Sequence, residues 1–121
     1  MSHRLAIVDA HHHVWDPDAN YHPWLRDKPV TFRYGDYAPI RRRYLVEDYL
    51  SDAANWHVAG SVYVEAEWDP NDPVGEMDYI AAERRDSGYP SVAVGQIWLD
   101  RADAAATLRR GSRTGQKRSA R

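Results

Sequence analysis

The chain of 121 residues contains no cysteine, which excludes disulfide-stapled scaffolds and metal sites built from thiolates. It also lacks any apolar run long enough to span a membrane, and residues 1–4 lead into a strand-like stretch without the apolar core of a secretory signal. We therefore expect a cytoplasmic protein with no membrane partner. The length predicts one domain at most, and a hydrophobic fraction of 43% with a charged fraction of 28% is typical of globular proteins.

Charge is distributed unevenly along the chain. Six of the 16 basic residues lie in residues 109–121, whereas all 18 acidic residues precede that segment. A basic segment without apolar periodicity is predicted to be disordered, so we assign residues 1–108 to the folded part and residues 109–121 to a tail. A frameshift or gene truncation would explain such an ending. Because no aromatic residues are interleaved with the six charges, nucleic acid is not an expected partner.

Hydrophobic periodicity predicts alternating strands and helices. A long proline- and aromatic-containing loop separates the first strand from the first helix, and we expect this loop to be ordered. The order of elements is typical of parallel α/β folds with crossover helices. The predicted strands cover residues 5–8 (buried), 61–66 and 91–99, the loop covers residues 16–44, and the helices cover residues 46–56, 74–87 and about 100–110.

The polar residues that follow the first strand are the most informative feature of the sequence. Side chains alternate along extended backbone, so Asp9, His11 and His13 are expected to share one face while His12 points away. Two imidazoles with this spacing can hold one metal ion, and Asp9 can orient a ligand histidine or cap the strand end. The alternative is a pair of strand-end histidines that bind only backbone atoms.

Other polar and aromatic residues near the predicted strand ends carry weaker signals. Trp15 and Trp24 can line a substrate pocket or belong to an aromatic core. Glu67 is expected to be solvated or to cap a helix, and His22 and His57 are expected at surface or packing positions.

Several segments together match the pattern of one known family. They are Asp-Ala-His-x-His-x-Trp-Asp-Pro over residues 9–17, Tyr-His-Pro-Trp-Leu over residues 21–25, Val-Glu-Ala over residues 64–66, the helix around Glu76, and residues 94–99. Across about residues 5–108 the chain resembles the N-terminal part of the amidohydrolase-related (amidohydrolase 2) family, near its sugar and dicarboxylate lactonases. The resemblance implies an α/β fold comprising the first three βα units of a truncated (β/α)8 TIM barrel, followed by the disordered basic tail.

The resemblance also implies a metal-dependent hydrolase that acts on a lactone, a cyclic ester or an amide bond of a small-molecule substrate. His11 and His13 would bind a divalent metal, Zn²⁺ being the first candidate, although some lactonases of this branch work without metal. Trp15, Trp24 and Glu65 would contact the substrate. The family's general base and further histidines come from later strands, so no catalytic residue is assigned and the chain is expected to be inactive alone. The alternative is a non-catalytic truncated remnant that binds a divalent metal weakly at most.

Overall fold

A computed structural model describes residues 5–116. Its centre is a parallel sheet of three strands in the order β1-β2-β3, with helices in the connections between them. The elements are β1 (Ala6–His12), α1 (Pro23–Arg26), a 3-10 helix (Ala38–Ile40), α2 (Val46–Asp52), β2 (His57–Val64), α3 (Gly75–Ser87), β3 (Val92–Val94) and α4 (Ala104–Gln116).

The core lies between one face of the sheet and the helices α2 and α3. Tyr63 of β2, Val46 and Tyr49 of α2, and Ile80 of α3 are buried there together with Val14. Burial of these side chains removes apolar surface from water and supplies the main force that holds the helices on the sheet.

The opposite face of the sheet is open among the described residues. Val62 and Val64 pair with Val92 and Val94, so these four side chains share the face opposite Tyr63. Val92 is 55% exposed and Val94 is 51% exposed, and Val8 of β1 is 67% exposed. The prediction of a buried first strand is therefore wrong, because none of residues 5–8 is buried and no helix within residues 5–116 covers Val8.

Two local features mark the start of α2 and the end of α3. The Asp48 carboxylate accepts a hydrogen bond from the Leu45 N–H at 2.8 Å and so satisfies a donor at the start of α2. Helix α3 ends at Gly88, whose φ of 85° lies in the left-handed region and whose N–H donates to the Arg84 carbonyl at 2.9 Å. The predicted helix over residues 74–87 thus agrees closely with α3.

The expectation that these elements begin a (β/α)8 TIM barrel is wrong. Within residues 5–116 the sheet is open, and its outer strands β1 and β3 each pair on one side only. Alternation of strands and helices is common to all parallel α/β folds, so the sequence pattern did not distinguish a barrel segment from a small open sheet. The parallel strand order itself is confirmed.

The boundaries at the C-terminal end also differ from the prediction. The third strand is limited to Val92–Val94, and α4 extends to Gln116 instead of ending near residue 110. The predicted disordered tail of residues 109–121 is therefore helical through Gln116, and residues 117–121 lie outside the described part. Helix propensity does not explain this continuation, because residues 111–116 include two glycines and a threonine; a contact with α3 supports it instead, since Thr114 donates a hydrogen bond to Asp78 at 3.1 Å. None of the helices in residues 5–116 has the length and apolar character needed to cross a membrane.

Candidate functional site

His11 and His13 form a close pair at the carboxyl end of β1. Their Nε2 atoms are 3.2 Å apart, and Nδ1 of His13 is 2.8 Å from the carbonyl oxygen of Val64. Because a carbonyl can only accept, His13 Nδ1 must carry the hydrogen of that bond. In neutral His13 the lone pair is therefore on Nε2, which faces His11. In this state His11 Nε2–H is the donor of the contact between the rings.

The separation of the two Nε2 atoms fits a shared metal ion. Two nitrogens 3.2 Å apart, each at the Zn–N distance of about 2.05 Å, give an N–metal–N angle of about 100°, near the tetrahedral value. Among residues 5–116, however, no group of three His, Asp or Glu side chains is arranged to hold a metal ion. The pair therefore supplies two ligands, and the remaining coordination positions would be filled by other molecules.

An irregularity in β1 determines which side chains accompany the pair. The strand register shifts between Asp9, which pairs with Ser61, and His12, which pairs with Tyr63. Three residues of β1 thus span the distance that two residues of β2 cover, which is the arrangement of a β-bulge and breaks simple alternation.

The bulge places Asp9 and His12 together against α2. The Asp9 carboxylate accepts hydrogen bonds from the Tyr49 hydroxyl at 2.9 Å and from the His11 backbone N–H at 3.1 Å. The His12 ring stacks on Tyr49 with a centroid distance of 4.2 Å, and burial lowers the pKa of His12. Asp9 therefore lies on the side of His12, in contrast to the expectation that it shares a face with the pair. His12 is structural, and its Nε2 lies 3.0 Å from the Ser61 hydroxyl.

Two tryptophans extend from the histidine pair. Trp15 stacks on His13 with a centroid distance of 5.9 Å, and Trp24 meets Trp15 edge to face at 5.3 Å. Their indole N–H groups are fixed, since Trp15 donates to the Arg42 carbonyl at 2.9 Å and Trp24 donates to the Ala66 carbonyl at 2.8 Å. Trp15 is only 8% exposed and is thus also part of an aromatic core. The structure thus brings Trp15 into contact with the pair, and Trp24 lies next to it through its contact with Trp15.

Glu65 and Glu67 lie just beyond the end of β2. The Glu65 carboxylate accepts a hydrogen bond from the Glu67 N–H at 2.9 Å, and the Glu65 N–H donates to the Val94 carbonyl at 2.9 Å. Glu67 has a φ of 54°, a left-handed conformation that is uncommon for a residue with a side chain. Glu65 directly follows Val64, which holds His13, but its carboxylate is engaged with its own loop.

Glu76 is a buried residue that the sequence reading did not single out as part of the site. It has no exposed surface, and its Oε1 atom accepts hydrogen bonds from the Tyr63 hydroxyl at 2.6 Å and from the Ala66 N–H at 2.7 Å. Burial raises the pKa of Glu76 from 4.5 to about 7. The available signal was its position one helical turn before Ile80, on the apolar stripe of α3.

His22 was expected at the surface or in packing contacts, and it is fully buried. Its ring meets Trp68 edge to face at a centroid distance of 5.1 Å, and within the described residues neither ring nitrogen has a hydrogen-bond partner. Burial and, to a smaller extent, the nearby His13 together lower the pKa of His22 from 6.5 to about 4. His57, in contrast, is exposed at the first residue of β2.

Comparison with known proteins shows similarity to an uncharacterized protein. No family model matches the chain, and no solved structure matches it. The chain is similar to the uncharacterized protein y4mH of Sinorhizobium fredii, with 38% identity over 91 residues. The match covers 75% of this chain but 31% of that protein, so the chain spans less than a third of its relative. The amidohydrolase resemblance stays a prediction, and no solved structure supports the barrel expectation.

Proposed function

We propose that His11 and His13 chelate a divalent metal ion, with Zn²⁺ as the first candidate, in a site that hydrolyses a lactone, a cyclic ester or an amide bond. The observation that carries the proposal is the 3.2 Å separation of the two Nε2 atoms, which suits two ligands of one ion. The hydrogen bond from His13 Nδ1 to Val64 fixes the ring orientation and the tautomer, as backbone carbonyls commonly do for metal-binding histidines.

The surroundings of the pair suit a small cyclic substrate. Trp24 is half-buried and can offer an aromatic surface to a flat or puckered ring, whereas the buried Trp15 packs between Trp24 and His13 and holds both in place. A divalent cation bound here supplies Lewis-acid chemistry, which polarises a substrate carbonyl and activates water. The residues of the chain hold and orient that centre.

A general base is the component that the contacts of the pair do not supply. Among the described hydrogen bonds, the Asp9 carboxylate binds Tyr49 and the His11 backbone, and the Glu65 carboxylate binds the Glu67 backbone. General-base catalysis requires a group within hydrogen-bonding distance of the attacking water. We therefore expect the 121-residue chain alone to hydrolyse lactones no faster than the background rate.

The second candidate function is a non-catalytic protein that only binds metal. The observation that favours it is the two-residue ligand set, since Zn²⁺ sites in proteins normally have three or four protein ligands. The two functions differ in whether a substrate oxygen can occupy the open coordination positions.

Metal titration of the purified chain tests the first step. With Co²⁺ as a spectroscopic probe and Zn²⁺ as competitor, we expect one metal per chain, and we expect His11→Ala and His13→Ala to abolish binding. His57→Ala is the matched control, because His57 is an exposed histidine at the opposite end of the sheet, and it should bind like the wild type. Equal binding by the wild type and the two site variants contradicts the proposal.

A second titration separates the two candidate functions. Adding a δ-lactone or its hydroxy-acid product to the Co²⁺-loaded chain should change the visible absorption spectrum if the open positions accept substrate oxygen atoms. An unchanged spectrum favours the metal-binding protein without catalysis. Lactone turnover above background that disappears in His11→Ala would show that the chain supplies its own base, contrary to our expectation.

A further inference from the structure

Glu76 holds the end of β2 at two points that flank the His13 acceptor. Its Oε1 atom accepts the Tyr63 hydroxyl at 2.6 Å on one side of Val64 and the Ala66 N–H at 2.7 Å on the other. Val64 lies between these two residues and provides the carbonyl oxygen that binds His13 Nδ1. A single carboxyl group on α3 therefore fixes the short segment that orients His13.

The same carboxyl group also fixes the aromatic neighbours of the site. The Tyr63 ring, whose hydroxyl is bound to Glu76, meets the His13 ring edge to face at a centroid distance of 6.3 Å. Ala66, whose N–H is bound to Glu76, accepts the indole N–H of Trp24 through its carbonyl oxygen at 2.8 Å. The Tyr63–His13 contact and the Trp24–Ala66 hydrogen bond are thus both linked to Glu76 of α3.

We propose that Glu76 is a positioning residue that holds His13 in the ring orientation and tautomer needed for metal binding. The proposal rests on the proposed metal site at His11 and His13, and it assigns to α3 a part in building that site. Glu76 itself contacts neither histidine in the described structure; it acts through Tyr63 and through the backbone of residues 64–66.

The proposed role of residue 76 requires a side chain that accepts two hydrogen bonds at one oxygen atom. Two donors, one hydroxyl and one backbone N–H, meet at one oxygen in a fully buried place. A glutamine carbonyl oxygen can accept both hydrogen bonds, whereas a methionine of similar size is only a weak acceptor and leaves both buried donors without an adequate partner. Glu76→Gln should therefore preserve the position of the strand end, and Glu76→Met should release it.

Metal affinity and the ¹⁵N NMR spectrum of the histidine rings test the proposal on the full 121-residue chain. In the metal-free wild type, the His13 ring should show the neutral form protonated at Nδ1. We expect Glu76→Met to mix the two neutral forms and to lower Zn²⁺ affinity by about tenfold, the lower end of the effect typical of residues behind a metal ligand. Glu76→Gln should retain the wild-type spectrum and affinity.

Ile80→Ala is the control for a general loss of stability. Ile80 is buried on the same helix and takes part in neither hydrogen bond of Glu76, so its truncation removes core packing but no hydrogen-bonding partner. This variant should unfold more easily than the wild type yet keep the His13 tautomer and the Zn²⁺ affinity under folding conditions. The melting temperature of each variant establishes those conditions.

The outcomes distinguish the two proposals. If the wild type binds Zn²⁺ and Glu76→Met binds it equally well with an unchanged His13 spectrum, the positioning role is wrong and the metal site stands. If Ile80→Ala loses affinity as strongly as Glu76→Met, the effect is general destabilisation and the positioning role is again wrong. If the wild type binds no metal, the proposed function fails. If Glu76→Met does not fold, loss of tautomer order in Tyr63→Phe, which removes only one donor, supports the role, and an unchanged spectrum contradicts it.

Discussion

Replacing His22 with phenylalanine should make the protein more stable in acid relative to the wild type. The His22 ring has no exposed surface, and within the described residues its two nitrogens have no hydrogen-bond partners. A charged imidazolium in this place loses its hydration without gaining a compensating contact. Burial consequently lowers the pKa of His22 to about 4, against 6.5 for an accessible histidine.

The size and the sign of the effect follow from this difference. An unfolded chain binds a proton at His22 as the pH falls through 6.5, whereas the folded protein resists until the pH reaches about 4. The folded state is thus favoured fully above pH 6.5 and loses that advantage as the pH falls toward 4. A difference of about 2.5 pKa units corresponds to about 3 kcal/mol of unfolding free energy.

Urea unfolding at a series of pH values between 7.5 and 4 tests this expectation. The unfolding free energy of the wild type should fall by about 3 kcal/mol more than that of His22→Phe over this range. At pH 7.5 the variant should be at least as stable as the wild type, because phenylalanine buries no unpartnered nitrogen. His57→Phe is the matched control and should parallel the wild type, since His57 is exposed. Parallel curves for the wild type and His22→Phe would refute the reasoning.

Three further predictions concern the helices and the sheet. As the pH rises from 4.5 to 7, the wild type should lose about 3 kcal/mol of unfolding free energy relative to Glu76→Gln, because the pKa of Glu76 is about 7 in the folded protein and 4.5 in the unfolded chain. Equal urea midpoints of the two proteins at all pH values would contradict this expectation. Gly88→Ala should destabilise the protein by about 1 kcal/mol, because Gly88 has a φ of 85° and alanine is strained in that conformation. An unchanged melting temperature would argue against a left-handed backbone conformation at residue 88. Val8→Thr should change the unfolding free energy by less than about 0.5 kcal/mol because Val8 is 67% exposed; a larger loss would mean that this face of the sheet is covered.

Local sequence patterns were sufficient to predict the order of elements and most of α3. The apolar stripe of α3 and the glycine at its end are local features of the sequence. Such features predict the structure correctly when the tertiary packing agrees with them. The pairing of His11 with His13 was predictable for the same reason, because it depends on two residues that are only two positions apart at the end of β1. The number of strands in the sheet is a different property, since it depends on contacts between distant segments.

The positions of Asp9 and His22 show why the rest of the site could not be predicted. Asp9 was placed by strict alternation, and the bulge in β1 depends on how β2 pairs with it, which the sequence of β1 does not encode. His22 lies in a loop with no periodicity, so only its contact with the distant Trp68 reveals that it is buried. For Glu76, the position on the apolar stripe of α3 could be predicted from the sequence. The two groups that donate hydrogen bonds to its carboxylate could not, because they belong to β2 and to the loop that follows β2.

Substituting both His22 and Glu76 tests a prediction that neither single variant tests. Burial shifts the pKa of the histidine to about 4 and that of the carboxyl group to about 7, so both groups change the unfolding free energy between about pH 4 and pH 7. As the pH rises through this range the folded state gains stability from His22 and loses a similar amount through Glu76. These two groups should therefore nearly cancel in the wild type, and the single variants should show slopes of opposite sign relative to it. The double variant His22→Phe with Glu76→Gln should run parallel to the wild type if the two groups act independently. A double variant whose unfolding free energy instead follows that of either single variant would show that the two groups are coupled.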